Sequence, residues 1–313
     1  MGRFGLVFPG QGSQHPGMAQ DLYRNYQSVR DLFADAGQIL GRDMASLCFE
    51  APREVLDLTI NTQIAVLTAD LAAWRVFSGR SAATPLVMAG HSLGEYAALH
   101  AAGAAGLGDV FSLVQRRAEY HQEAVSVGEG AMAAVLGLTR EEVVELCLEF
   151  DGDDHCVALS GDNAPGQTVV SGHAHAVAEV IAAAGKREKG KAIRLPISVP
   201  CHCRLLQGAA KRLEADLRQV SFRDGTVPVI PNCDPSLLHS PERTAELLVR
   251  QITSPVRWRE TIERMAAMGV DTIVELGPKK TLTGLVKRID PRLRFLNVED
   301  GASLEKTLTA LDG

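Results

Sequence analysis

The sequence of 313 residues is short of several things at once. It has no basic surplus: 32 Lys and Arg face 38 Asp and Glu, for a net charge of −6. A nucleic-acid binder ordinarily carries excess positive charge, so no nucleic-acid partner is expected. It has no apolar run long enough to cross a membrane. The opening Met1-Gly2-Arg3-Phe4-Gly5 lacks the apolar centre of a signal peptide, so a cytoplasmic protein without a membrane partner is expected. It has no cysteine framework either. Cys48, Cys147, Cys156, Cys201, Cys203 and Cys233 follow no regular spacing and read as free thiols of a reducing compartment. Cys201-His202-Cys203 is a poor metal pattern, because adjacent residues rarely chelate one ion and no second pair follows at ligand spacing. Long repeats and low-complexity segments are absent too. What remains, 46% hydrophobic and 22% charged, suits a globular chain with one large core and a smaller satellite.

Periodicity divides the chain into three parts. Arg3–Phe8 reads as a strand that runs into Pro9-Gly10-Gln11-Gly12-Ser13-Gln14. That Gly-rich turn is not a Walker loop, since no Gly-Lys-Ser/Thr follows. Helical patterns cover Met18–Leu40, with breaks, and Thr62–Phe77. A strand at Pro85–Ala89 and helices at Tyr96–Ala105 and Gly108–Val127 follow. Residues 128–199 then read strand (Ala131–Leu138), helix (to Glu149), strand (Cys156–Ser160), strand (Gln167–Ser171), helix (His175–Ala184) and strand (Ala192–Ser198). This is the β-α-β-β-α-β order of a ferredoxin-like unit. Helices at Leu205–Leu217, Ala245–Thr253 and Val256–Met268, a strand at Thr272–Glu275 and a last helix after Pro278 return to α/β character. The expected organisation is a discontinuous core of residues 1–127 and 200–313, with a mostly parallel sheet, and an inserted subdomain at 128–199.

The most informative segment is Gly90-His91-Ser92-Leu93-Gly94-Glu95, a Gly-x-Ser-x-Gly between an apolar strand and an Ala/Leu-rich helix. In a Gly-rich chain such a pattern also arises by chance. Here the strand before it and the helix after it place a serine on a nucleophile elbow, with helix N–H groups behind it for an oxyanion. A serine nucleophile needs a base, and nine histidines are candidates. Position alone does not choose among them. His202 lies where the insert rejoins the core, and clefts form at such junctions. Arg116 and Arg117, by periodicity alone, read as surface residues of an amphipathic helix.

Several stretches in one order carry a resemblance. They are Phe8–Gln14, Gly90–Tyr96, Gly130–Val135, Asn163–Gln167, Ser198–Cys203 and Glu275–Pro278. Together they resemble the malonyl-CoA:acyl-carrier-protein transacylases, of the fatty-acid-synthesis type or the free-standing polyketide type, over essentially the whole chain. The resemblance implies an α/β-hydrolase-like core with a ferredoxin-like insert. It implies ping-pong transfer of a malonyl group from coenzyme A to the phosphopantetheine thiol of an acidic acyl carrier protein, with no cofactor and no metal, by a monomer. Ser92 is then the nucleophile and His202 the base, oriented by the backbone carbonyl of Gln251. The N–H groups of Gln11 and Leu93 form the oxyanion hole. Arg117 holds the malonyl carboxylate by a forked contact, and Gln63, His91 and His121 border the substrate. Lys186, Arg187, Lys189 and Lys191 on the insert, with Lys279, Lys280, Lys287 and Arg288 near the C-terminus, are candidate docking charges for the carrier.

The chain departs from that pattern in places. Ala118 and His121 stand where the family usually has Gly and Met, Cys201 where Ser or Phe is usual, Gly161 where Asn is common, and Ile64 where Pro is frequent. His121 lies one turn past Arg117, so it either fills the space of the Met or meets a polar substituent on C2 of the acyl unit. Protonated below about pH 6.5, it would help to hold the carboxylate. A C2-substituted malonyl unit is therefore an alternative substrate. A thioesterase-like hydrolase of a polyketide pathway and a non-catalytic docking subunit are rival readings. Against the first stands Arg117, and against the second the intact set of Ser92, His202, Gln11 and Arg117.

Overall fold

The computed structural model describes residues 3–126, 128–197 and 199–312. Met1, Gly2, Val127, Ser198 and Gly313 lie outside the described residues, and with them the last residues of the Gly108–Val127 helix and of the Ala192–Ser198 strand. The described strands are β1 (Phe4–Phe8), β2 (Val87–Gly90), β3 (Gly130–Leu136), β4 (Val157–Ala164), β5 (Gln167–His173), β6 (Lys191–Arg194), β7 (Val229–Ile230), β8 (Thr272–Leu276) and β9 (Arg294–Val298).

Five of them form a sheet in the order β7-β2-β1-β8-β9, and every pair in it is parallel. β1 is central and buried at all five positions, as a strand covered on both faces must be. The chain leaves β1 toward β2 on one side and later returns as β8 on the other. The carboxyl ends of β1 and β8 therefore flank a switch point, where open α/β sheets place their ligands. One face is covered by the helix Thr59–Arg80, which is buried around most of its circumference and packs on the helix Leu107–Glu123. Trp258, Ile262 and Met265 cover the other face.

The remaining strands form an antiparallel sheet ordered β4-β5-β3-β6. The helices Arg140–Phe150 and Ala174–Gly185 pack on it around a separate apolar cluster. The first of these helices opens on a capping box. Thr139 Oγ1 accepts from the Glu142 N–H, and Glu142 Oε2 accepts from the Thr139 N–H.

The elements differ from the sequence expectation where tertiary contacts override local pattern. β4 does not end at Ser160. It runs to Ala164 through two register shifts, because Val256 of the core pairs with it: the Asp162 N–H donates to Val256 O, and the Val256 N–H donates to Ser160 O. β6 ends at Arg194, after which Leu195 and Ile197 turn to a cavity wall. β7, β9 and the helix Gly301–Asp312 were not expected. β7 is two residues long. β9 is a largely half-exposed edge strand, so neither shows a strong apolar run. All six cysteines are unpaired and buried. Among the described residues no helix is long and apolar enough to cross a membrane.

The capping box makes a test of local stability. Thr139→Ala removes one partner of a helix N-terminus that is otherwise reciprocally satisfied. We expect a loss of about 1 kcal/mol in urea unfolding followed by a probe in the small sheet. An unchanged midpoint would show that water replaces the cap at no cost.

Candidate active site

The turn after β2 lifts Ser92 above the parallel sheet. Its backbone sits at φ +54°, in the left-handed region that costs a residue with a side chain about 1–3 kcal/mol. The two glycines of the motif have separate reasons. A Cβ on Gly90 would fall on the Gly94 carbonyl group, and one on Gly94 would fall on the Phe8 carbonyl oxygen. Only glycine lets the elbow close on itself and on β1. Gly10 is equally tight, because a Cβ there would meet the His91 carbonyl oxygen. The β1 turn and the elbow are thus pressed together.

His202 Nε2 lies 2.7 Å from Ser92 Oγ, and His202 Nδ1 lies 2.8 Å from the Gln251 carbonyl oxygen. The carbonyl can only accept, so the network assigns the proton to Nδ1 and leaves Nε2 to take the hydroxyl proton. Burial pushes the His202 imidazole down to about 3, and the neighbouring Arg117 charge pushes it further the same way. The backbone N–H groups of Gln11 and Leu93 reach no protein acceptor among the described residues. The Gln11 side chain is occupied elsewhere, donating to Thr59 Oγ1 at 3.2 Å.

Arg117 is 2% exposed. Its guanidinium donates to Gln63 Oε1 at 2.6 Å, to Ser92 Oγ at 3.0 Å and to Gln251 Oε1 at 3.3 Å. All three acceptors are neutral, and among the described residues no carboxylate pairs with it. The guanidinium also lies 5.8 Å from the centre of the Tyr96 ring. The reading of Arg117 as a surface residue by periodicity is therefore corrected: it points inward, and Arg116 is the one that faces out, toward Glu119.

A cavity of about 230 Å³ opens in front of this group. Gln11, His91, Ser92, Arg117, Cys201 and His202 line its floor, and the small sheet and the helix Thr281–Ile289 contribute to its walls. His91 is fixed from the small sheet, its Nε2 lying 2.8 Å from Asn163 Oδ1. Gln63 does not line the cavity; it stands behind Arg117 as a buried acceptor. His121 does not line it either. It is fully buried, with Nδ1 3.9 Å from the Sγ of Cys201, which does line the cavity. The expectation of a His121 that borders the substrate and protonates near pH 6.5 is corrected on both counts. Burial, with Arg117 and His202 close by, holds its imidazole well below the usual range. The three side chains of Cys201-His202-Cys203 diverge, toward His121, Ser92 and the Pro200 carbonyl. No group of three or more potential metal ligands occurs among the described residues.

Two residues around the nucleophile were given no role from the sequence: Asn232 carries no motif, and Asn163 belongs to a resembling stretch without a stated part in the site. Asn232 follows β7; its Oδ1 accepts from the Ser92 N–H at 2.5 Å and its Nδ2 donates to Gly90 O at 2.6 Å. Asn163 is the other, through His91. Gln251 also serves by its side chain, donating from Nε2 to Ser92 O at 3.0 Å. These residues come from positions 140 and more than 70 residues away from the elbow, so no local spacing signals them.

The profile of the acyl transferase domain family matches residues 6–292. The malonyl CoA-acyl carrier protein transacylase of Salmonella typhimurium is 41% identical over 309 residues, covering 99% of this chain and 100% of that protein. The solved structure of the malonyl CoA-acyl carrier protein transacylase of Coxiella burnetii superimposes with a TM-score of 0.96 at 40% identity, covering 100% of this chain and 98% of that one. A malonyl-transacylase solved in complex with a type II PKS acyl-carrier protein superimposes with a TM-score of 0.94, also at 40% identity, covering 98% of this chain and 99% of that one.

The buried imidazoles make stability depend on pH. His202 is held to about 3, His121 well below its ordinary value, and His91 and His100 are lowered, each chiefly by burial. The unfolded chain protonates them near about 6.5. Between about pH 3 and 6.5 the unfolded state therefore binds more protons, so stability rises with pH across that window and is complete above it. His121→Met removes one such group. The Tm of this variant should fall less than the wild-type Tm between pH 7 and pH 5, and parallel curves would mean that His121 takes up its proton when folded.

Proposed function

We infer the reaction from the premise that the chain belongs to the acyl transferase family, among the malonyl CoA-acyl carrier protein transacylases. The enzyme moves a malonyl group from coenzyme A to the thiol of an acyl carrier protein. The observation that carries the substrate's charge is Arg117, a buried cation that opens on the cavity and has only neutral partners. An unpaired guanidinium in a desolvated site is costly, and a carboxylate entering the cavity relieves that cost with two parallel hydrogen bonds.

The steps follow from the distances. Ser92 Oγ gives its proton to His202 Nε2 and attacks the thioester carbonyl. The resulting oxyanion is received by the N–H groups of Gln11 and Leu93, whose donors are otherwise unused. The tetrahedral intermediate collapses, the C–S bond breaks, and His202 returns the proton to the departing thiolate. The thiol of the carrier then gives its proton to His202, attacks the Ser92 ester and leaves with the malonyl group, restoring the serine. Arg117 couples recognition to this chemistry. Its charge depresses His202 in the empty site. A bound malonyl carboxylate offsets that charge, so the correct substrate makes its own base stronger. Water resolving the ester would give the hydrolase reading, for which a carboxylate clamp offers no advantage. The coenzyme A thioester is a substrate here, and the steps call on no metal or prosthetic group. Six unpaired buried thiols support a reducing compartment and hence the cytoplasm.

Intact-mass analysis tests the reaction. Malonyl-CoA should add a malonyl group to the wild type and none to Ser92→Ala, and holo-carrier should then remove it. Arg117→Ala should slow malonyl acylation by about 10- to 100-fold relative to acetyl acylation, the equivalent of a lost charged hydrogen bond. An equal loss for both acyl groups would make Arg117 structural.

The carrier half-reaction tests the docking charges. Lys279 already donates to Gly12 O, Lys280 pairs with Glu299, and Arg288 reaches across to Gln167 of the small sheet. Lys287 and Lys191 are exposed and make no ion pair among the described residues. The double charge reversal Lys191→Glu with Lys287→Glu should lower kcat/KM for the carrier by about 10-fold at low salt while acylation by malonyl-CoA keeps its rate. Unchanged carrier kinetics would move the docking surface elsewhere.

A further inference from the structure

The loop between β7 and the helix Thr244–Thr253 contains a buried histidine that the steps above do not use. The His239 side chain is 2% exposed, and its Nε2 lies 2.9 Å from Glu95 Oε1. Glu95 belongs to the helix behind the elbow and is fully buried. Its Oε2 accepts from Gln251 Nε2 at 2.9 Å and from the Asn232 N–H at 2.8 Å. These are the two residues whose side chains hold the backbone of Ser92. One carboxylate therefore gathers the helix that carries the base-orienting carbonyl, the loop that carries Asn232, and the nucleophile itself.

Hydrogen-bond accounting defines the part of His239. Its Nδ1 lies 3.1 Å from Thr244 Oγ1, and the Thr244 hydroxyl donates its own proton to Ser240 O at 2.8 Å. The hydroxyl oxygen is therefore an acceptor toward Nδ1. On the other side the carboxylate only accepts. The ring nitrogen Nε2 therefore donates to Glu95 Oε1 and supplies the third donor to its carboxylate. Among the described residues no Lys or Arg pairs with Glu95, so its buried carboxylate relies on these three donors. A buried carboxylate stripped of such a partner is strongly disfavoured, and it regains solvation by turning away or by taking a proton. In either case Gln251 Nε2 and the Asn232 N–H lose a common acceptor.

We propose that His239 is a positioning residue for acyl transfer: it anchors Glu95, which fixes Gln251 and Asn232 and through them Ser92 and His202. It touches neither the substrate nor the reacting atoms. The proposal rests on the roles of Ser92 and His202 given above, and it adds a third tier to the support of the nucleophile. A strut of this kind acts on the rate of the chemical step, and Arg117 keeps Gln63 as its shortest partner even where Gln251 shifts, so its signature falls on kcat and not on KM.

The test is the single-turnover rate of Ser92 acylation by malonyl-CoA, measured by rapid quench and mass across a range of malonyl-CoA concentrations. His239→Ala should slow acylation about 10- to 100-fold, the cost of a slight misplacement of reacting groups, with half-saturation unchanged. His239→Gln, whose amide can donate to Glu95, should recover part of that loss. Thr244→Val, which removes the acceptor for Nδ1–H, should slow acylation more mildly. Full-rate acylation in His239→Ala, a loss confined to half-saturation, or no recovery in His239→Gln each overturns the proposal. Should His239→Ala fail to fold, as judged by circular dichroism, unchanged acylation in Thr244→Val overturns it. If the wild type itself forms no malonyl ester on Ser92, the reading of the reaction fails, and that outcome is distinct from a failure of the His239 strut.

Discussion

A serine held in the left-handed region of backbone space is the constraint on which the rest of this structure depends. Ser92 at φ +54° is strained, and left to itself the turn would relax. Each of its backbone polar groups is instead taken by a buried side chain: the N–H by Asn232 and the carbonyl by Gln251, while Asn232 also binds the carbonyl of Gly90. Glu95 draws those two residues together. The glycines at 90 and 94 permit the turn, but permission is not enforcement. Enforcement comes from Asn232 and Gln251, which the chain supplies after the insert has been completed.

The charges of the site follow a second logic. Glu95 sits behind the elbow with three donors and is satisfied within the protein. Arg117 sits beside the nucleophile with three neutral acceptors and is not matched by any carboxylate among the described residues. The two buried charges are thus treated differently. One is closed off and structural, whereas the other is left for something that enters through the cavity. The cost of that open charge spreads to its neighbours. It depresses both His202 and His121, and burial acts in the same direction on each. A site that is electrostatically incomplete when empty becomes complete when an acyl group with a distal carboxylate occupies it.

Much of this was legible in the sequence, and the limits are instructive. The elbow was legible because its chemistry demands a local pattern: two glycines for two steric contacts, one serine, a strand before and a helix after. The two sheets were legible because alternation and apolar runs survive in β1, β3 and β8. The pairing of Ser92 with His202 was not derivable from spacing, since 110 residues separate them; the junction of insert and core pointed toward that histidine, and the resemblance singled it out. Arg117 misled periodicity, because a helix facing an active site buries a charge on its inner face. His121 misled it in the opposite way. Its spacing from Arg117 was read correctly, but Cys201 covers it, and which of two adjacent buried residues reaches a cavity is a matter of tertiary packing. Asn232 and His239 gave no signal at all. An asparagine and a histidine in a polar loop look alike whether they face solvent or a buried carboxylate.

The small antiparallel sheet adds the step that turns a reactive serine into a selective one. Its β4 is stitched to Val256 by backbone hydrogen bonds at the register shifts, and this brings Asn163 onto His91 at the cavity floor. Met132 and Val169 from the same sheet, and Leu195 and Ile197 just after it, line the cavity together with Leu282 and Leu285. An apolar cleft of this form suits a thin, mostly apolar arm such as pantetheine, and it favours such an arm over free water. Water entering between those walls gains few hydrogen bonds, whereas a thiol on a long arm displaces it and arrives at the ester already oriented. The elbow and the base would act on either nucleophile. The apolar wall formed by the small sheet and the helix Thr281–Ile289 therefore favours transfer over hydrolysis away from the reacting atoms.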